Sequence, residues 1–227
     1  MSNHVRGENY ETNKQQILYA AAISFLEYGY TATTIKKIAA DAKTNTGTLQ
    51  NIFKTKDDIL SDIVYYVLEG QFDTTANFLK GVTDDKILFY AAETTLQLYM
   101  AESSENVRNL YAAAYSLPKT TQIIQNTITK KLEHLFKEHL PEMETKDFYK
   151  LEIASGGIIR NFMMVPCDMW FTMDQKVEAF LETTLRVYCV PEEKIREAIE
   201  FVSQFDYKKI ADETINAMLT FLKGEIA

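Results

Sequence analysis

The segment Thr33-Thr34-Ile35-Lys36-Lys37-Ile38-Ala39-Ala40-Asp41-Ala42-Lys43-Thr44-Asn45-Thr46-Gly47-Thr48-Leu49-Gln50-Asn51-Ile52-Phe53 decides how the chain reads. Ile35, Ile38, Ala39 and Ala42 recur at helical spacing. Thr33 and Thr34 before them offer a side-chain oxygen to the first free backbone N–H groups. After a tight junction, Asn45 repeats the capping signal for another short helix, anchored by Leu49, Ile52 and Phe53. The polar positions Thr46, Thr48, Gln50 and Asn51 fall outward on that helix. Upstream, Ile17, Ala21, Phe25 and Tyr28 share one face of a helix over 12–28. Gly29 ends it, because glycine enters a left-handed turn at little cost. Three amphipathic helices with a tight junction between the second and third have the layout of a helix-turn-helix.

The same reasoning extends downstream. Thr55 with Asp58 forms a capping-box pattern that opens a fourth helix through Ile59, Ile63, Val67 and Leu79. Further helices are predicted over 84–102, 104–116, 119–139, 145–165, 173–189, 192–204 and 207–223. Pro118, Pro141 and Pro191 fall at the junctions, and Thr172 with Gln175 forms another capping box. With only 8 glycines and 4 prolines in 227 residues, tight-turned strands are disfavoured. The fold class expected is all-α, with a DNA-binding head over 1–56 and a larger body over 57–227. No repeat and no low-complexity linker separates them, so the boundary should run through the fourth helix.

Composition bounds the function. A mixture of 46% hydrophobic and 25% charged residues is that of a globular protein with a sizeable core. No run approaches the roughly 18 apolar residues of a membrane span. The polar start, Met1-Ser2-Asn3-His4-Val5-Arg6, lacks a secretory pattern, so a cytoplasmic protein with no membrane partner is expected. Cys167 and Cys189 fit no metal or disulfide spacing. The net charge of −8 is unevenly spread. Residues 1–60 carry seven basic against six acidic side chains, and the remainder 17 against 26. An acidic body is repelled by DNA and helps turn the head toward it.

The run Ile17 to Phe25, then Gly29-Tyr30, Thr33-Thr34-Ile35, Ile38-Ala39, Gly47-Thr48-Leu49, Phe53 and Lys56 resembles the DNA-binding head of the tetracycline-repressor (TetR) family. The resemblance covers about residues 13–60 and implies a sequence-specific, operator-binding homodimer. Each landmark also has its own physical reason. Thr33 and Thr34 can offer hydroxyl and N–H groups to a phosphate. Gly47 lets the third helix lie close to a groove wall. Gln50 and Asn51 can read adenine bidentately, and Thr46 and Thr48 can meet a base or a thymine methyl. Lys43, Lys54 and Lys56 suit phosphates, which set position but not sequence. Family members commonly carry Gly-Val-Ser where this chain has Lys43-Thr44-Asn45, and Tyr where it has Gln50. Asn45 preserves the cap, but the recognition code is altered.

For the body, the resemblance implies a dimerising domain that binds a small-molecule effector. Tyr hydroxyls and flexible Met side chains suit a mostly apolar pocket with a few polar groups. Tyr65, Tyr66, Tyr99, Tyr111, Tyr115, Phe162, Met163, Cys167 and Trp170 are the candidate lining, with the Phe162–Trp170 run as its favoured wall. Ser155-Gly156-Gly157 interrupts a good helix, where each glycine costs about 1 kcal/mol against alanine. Close approach of a second backbone, or of a ligand, accounts for that cost. In this family the eighth and ninth helices pair with their symmetry mates, which implies an interface at 145–165 and 173–189. Repression is the commoner family outcome. Catalysis is not expected: no Glu-x-x-His pair, nucleophile elbow or phosphate loop appears, and no cofactor or metal is implied. The alternative is a helical dimeric adaptor that has altered or lost DNA binding, prompted by the unusual 43–52 segment.

Overall fold

A computed structural model describes residues 2–224, with side chains described from Tyr10 onward. Met1 and residues 225–227 of the two expected domains lie outside the described residues. Those described form α1 (Ser2–Tyr28), α2 (Ile35–Asp41), α3 (Thr46–Ile52), α4 (Lys56–Leu79), α5 (Lys86–Glu102) and α6 (Glu105–Ala114). They continue as α7 (Pro118–Phe136), α8 (Thr145–Met164), α9 (Met173–Val187), α10 (Glu192–Val202) and α11 (Tyr207–Lys223). No strand occurs among them.

The expected caps form. Thr34 accepts the Lys37 N–H at 3.2 Å, Asn45 accepts the Thr48 N–H at 2.8 Å, and Thr55 and Asp58 close a reciprocal box. Thr172 and Gln175 close another at the start of α9. Each satisfies backbone donors that the first helical turn leaves free. The end of α2 is less ordinary. Lys43 sits at φ +54, while its N–H bonds Ala40 O and the Thr44 N–H bonds Ala39 O. This is a Schellman ending with a lysine where glycine is usual. Cys189 ends α9 the same way, at φ +55.

Helix α5 is the axis of the body. It packs against α4, α6, α7, α8, α9, α10 and α11, and its residues are buried on nearly every side. A helix enclosed this way reads as apolar all round, with no stripe. Around α1, the residues Ile17, Phe25, Ile38, Leu49, Phe53 and Ile59 form the core of the head. That cluster runs on into Leu68 of α4, Ala114 of α6, Ile124 of α7 and Leu222 of α11. Head and body therefore share apolar packing, and α4, about 36 Å long at ~1.5 Å per residue, passes through both. Tyr28, expected on the inner face of α1, is instead exposed, with the Lys37 ammonium 4.4 Å above its ring.

Candidate nucleic-acid interface and body cavity

Buried Leu49 and Phe53 hold α3 on the head, and this fixes which of its faces meets solvent. Thr46, Gly47, Gln50 and Asn51 are exposed and Thr48 is half-exposed. Lys43 and Lys54 are exposed at either end of the same surface, and Thr34 is exposed at the start of α2. Asn45 is exposed as well, but its side-chain oxygen is occupied by the cap.

Two expected phosphate contacts are corrected. Thr33 is only 1% exposed, and its hydroxyl donates to Ser24 O at 3.0 Å and Gly29 O at 2.8 Å. It ties α1 to α2 and faces away from solvent. The Lys56 ammonium donates to Tyr30 O at 2.6 Å and Thr33 O at 2.9 Å, and lies 4.2 Å from the centre of the Tyr30 ring. Burial holds its pKa below the usual lysine value. Lys56 thus neutralises carbonyls in the 30–33 turn, and the Tyr30 hydroxyl, bonded to Asp57, completes that brace.

A polar clasp joins head to body. Asn106 of α6 donates to Leu26 O at 2.8 Å and Glu27 O at 3.0 Å, capping the carbonyl end of α1. Gly29 at φ +81 leaves room for it, since a Cβ there would stand 3.0 Å from the Asn106 oxygen.

Behind the clasp lies an apolar cavity of about 100 Å³ between α1, α4, α5, α6 and α11. Leu26, Leu60, Val64, Met100 and Leu110 are among its walls. A second cavity, of about 30 Å³, is bounded by α4, α5, α7 and α8 and is lined by Glu93 and Glu152. Gln97 and Tyr115 line both. Each glutamate is 3% exposed. Burial pushes Glu93 up to about 8, although Gln97 donates to it at 3.1 Å. Burial and then repulsion from Glu93 push Glu152 up to about 8 as well. Gln97 also donates to Gln71 at 3.1 Å, and Gln71 to the Tyr111 hydroxyl, so a polar chain crosses the apolar body.

Of the expected lining, Tyr111 and Tyr115 border these cavities and the others do not. Tyr65 is exposed, while Tyr66 packs at a tilt against Phe221 and Tyr99 stacks on Tyr207. Met163 is buried in the core, and Phe162 packs edge-on to Phe180. The favoured Phe162–Trp170 wall is corrected most sharply. Glu102 accepts from buried Lys176 at 2.7 Å, from Arg108 at 2.9 Å and from the Cys167 N–H at 3.0 Å. This ion cluster anchors the α8–α9 loop, whose tip carries Met169 and Trp170, each 79% exposed. The polar groups that do line a cavity, Glu93, Gln97 and Glu152, were overlooked. The signal was available: Glu93 and Gln97 stand one turn apart in a helix otherwise too apolar to have a wet face.

The two glycines of α8 face opposite ways. A Cβ at Gly156 would stand 2.9 Å from the Glu152 carboxyl, whereas one at Gly157 would meet nothing. Gly157 continues an exposed row with Tyr149 and Ile153.

Residues 17–63 match the model of the bacterial regulatory proteins of the tetR family. The chain is 28% identical over 160 residues to the HTH-type transcriptional regulator YhgD of Bacillus subtilis (strain 168), covering 68% of this chain and 73% of that protein. It is 38% identical over 73 residues to the HTH-type transcriptional regulator HbdR of Aromatoleum sp. (strain CIB), about a third (32%) of each. Among solved structures, RolR in complex with resorcinol superposes with a TM-score of 0.65 at 18% identity, over 85% of this chain and 95% of that one, a likeness of fold. With the capped α2–α3 pair and the exposed face of α3, these matches show a helix-turn-helix head of the tetR type over residues 17–63, in a chain similar to helix-turn-helix transcriptional regulators.

Proposed function

We propose that the protein works in the cytoplasm as a homodimer that binds a double-stranded operator through α3 and lets go, or holds on, according to a small molecule bound in its body. The observation that carries this reading is the exposed row Thr46, Gly47, Gln50 and Asn51 on a helix that Leu49 and Phe53 fix from behind. In this reading Gln50 and Asn51 meet base edges, and Lys43, Lys54 and the Thr34 end of α2 meet phosphates. Asn45 and Gly47 shape the approach: one caps the helix and the other keeps its first turn slim.

The functional division is a head over 1–56 and a body over 57–227, with α4 common to both. The exposed Tyr149, Ile153 and Gly157 of α8 and the apolar tip Met169-Trp170 support pairing through 145–165 and 173–189. A two-fold pair sets two α3 helices about one DNA turn apart, roughly 34–36 Å. The apolar cavity touches α1 and α4 directly, so a ligand filling it acts on the elements that carry the head. RolR, which shares the fold, was solved with resorcinol, in keeping with a body that holds small molecules. Coupling of about 1–3 kcal/mol changes operator affinity roughly 5–150-fold. The chemistry is binding, not catalysis, and repression is the outcome expected.

A gel shift on the DNA upstream of its own gene, run over a salt series, tests the reading. Binding should weaken steeply with salt, because neutralised phosphates release counterions. No shift at low salt overturns it in favour of an adaptor.

A further inference from the structure

The Glu93–Glu152 cavity holds two acids without a buried counter-cation. Lys131, whose charge acts on Glu93, pairs with Glu69 at 3.1 Å and lies over the Phe72 ring. Glu93 has one donor, Gln97. Glu152, 97% buried, has none among the described residues, and the missing side chain of Gly156 makes room for its carboxyl group. A buried carboxylate without donors is costly, so it protonates or finds a partner. The surroundings are aromatic: Phe72, Tyr90 and Tyr115 line this cavity, and Tyr188 packs edge-on to Tyr90 behind it. Across Gln97 and Tyr115 lies the larger cavity, whose remaining walls are apolar side chains and Tyr111. The larger cavity, about 100 Å³, approaches the roughly 150 Å³ of a cavity that holds a benzene ring, and the smaller, about 30 Å³, has room for a small polar head.

We infer that the effector is a small amphiphilic organic cation: an ammonium head donating to Glu93 and Glu152, and a hydrocarbon or aromatic end passing between Gln97 and Tyr115 into the apolar cavity. This rests on the reading of the body as the effector domain. Tyrosine rings suit a cation, since their faces are electron-rich. Binding carries a proton signature. The charged groups facing the site are Glu93 of α5, Glu152 of α8 and, further off, Lys131 of α7. The tyrosines stay neutral. At pH 7 the two glutamates are mostly protonated, so docking of an ammonium displaces about one proton to the buffer.

Phenethylammonium, neutral 2-phenylethanol and phenylacetate serve as probes in calorimetric titration of the full chain at pH 7, in two buffers of different ionisation heat. Phenethylammonium should bind and release about one proton, and the anion should not bind. Glu152→Gln and, separately, Glu93→Gln should each weaken it roughly 30-fold or more, as expected for removing one partner of a buried charge pair. Circular dichroism verifies that both variants are folded. Equal binding of the alcohol, indifference to both substitutions, or no binding of phenethylammonium overturns the inference. A gel shift of the wild-type chain without any probe reports separately on DNA binding. A shift alongside failed titrations removes only the cation, whereas no shift at low salt removes the regulator reading itself.

Discussion

Lysine at φ +54 is an unusual choice, because a Cβ in the left-handed region meets the following carbonyl at a cost of roughly 1–2 kcal/mol. Lys43→Gly should therefore raise unfolding free energy by about 1 kcal/mol in chemical denaturation, while weakening operator binding through loss of a phosphate contact. Lys56 makes the opposite case. Lys56→Met removes two hydrogen bonds to turn carbonyls and should cost about 1–3 kcal/mol of stability. The salt slope of DNA binding should stay unchanged, whereas Lys54→Ala should reduce that slope by about 1. Residue-scale chemistry was legible where it is local. Thr34, Asn45, Thr55 and Thr172 cap the helices that their spacing announces. Thr33 and Lys56 were misread because their partners, Ser24 and Tyr30, come from other elements, and sequence spacing carries no information on which hydroxyl or ammonium turns inward.

At the scale of elements, the clasp on α1 and the outer face of α8 give separate tests. Asn106→Ala leaves Leu26 O and Glu27 O without their side-chain donor and should cost about 1–2 kcal/mol, read by denaturant unfolding. Gly157→Leu adds bulk to an outer face where nothing lies within reach in the single chain. Fold stability should hold while light scattering reports monomers; an unchanged dimer mass would assign the interface elsewhere. Helix positions were readable throughout because apolar periodicity and caps act within a few residues. What a helix faces was not. Helix α5 has no polar side, so its pattern cannot indicate that Glu93 and Gln97 meet Glu152 from a helix some sixty residues on. The Phe162–Trp170 run, rich in sulfur and aromatic rings, looked like a pocket, but its first three residues finish α8 and the Lys176–Glu102 ion pair anchors the rest as a surface loop.

For the molecule as a whole, the buried acids set how stability depends on pH. Glu93 and Glu152 rise from an ordinary 4.5 to about 8, so between those values the folded chain binds more protons than the unfolded one. Their contribution is complete below pH 4.5, falls as pH climbs, and is gone once pH passes about 8. Each fully shifted group steepens the fall by roughly 1.4 kcal/mol per pH unit. Melting temperatures between pH 5 and 8 should decline in the wild type and decline less in Glu152→Gln.

One turn of α8 carries Glu152 and Gly156 toward the interior and Gly157 toward the outside. In a two-fold assembly joined along that outer row, anything that reshapes the inner side of the turn also strains the seam. The first guest then alters the odds for a second in the twin subunit, and saturation curves depart from a simple hyperbola.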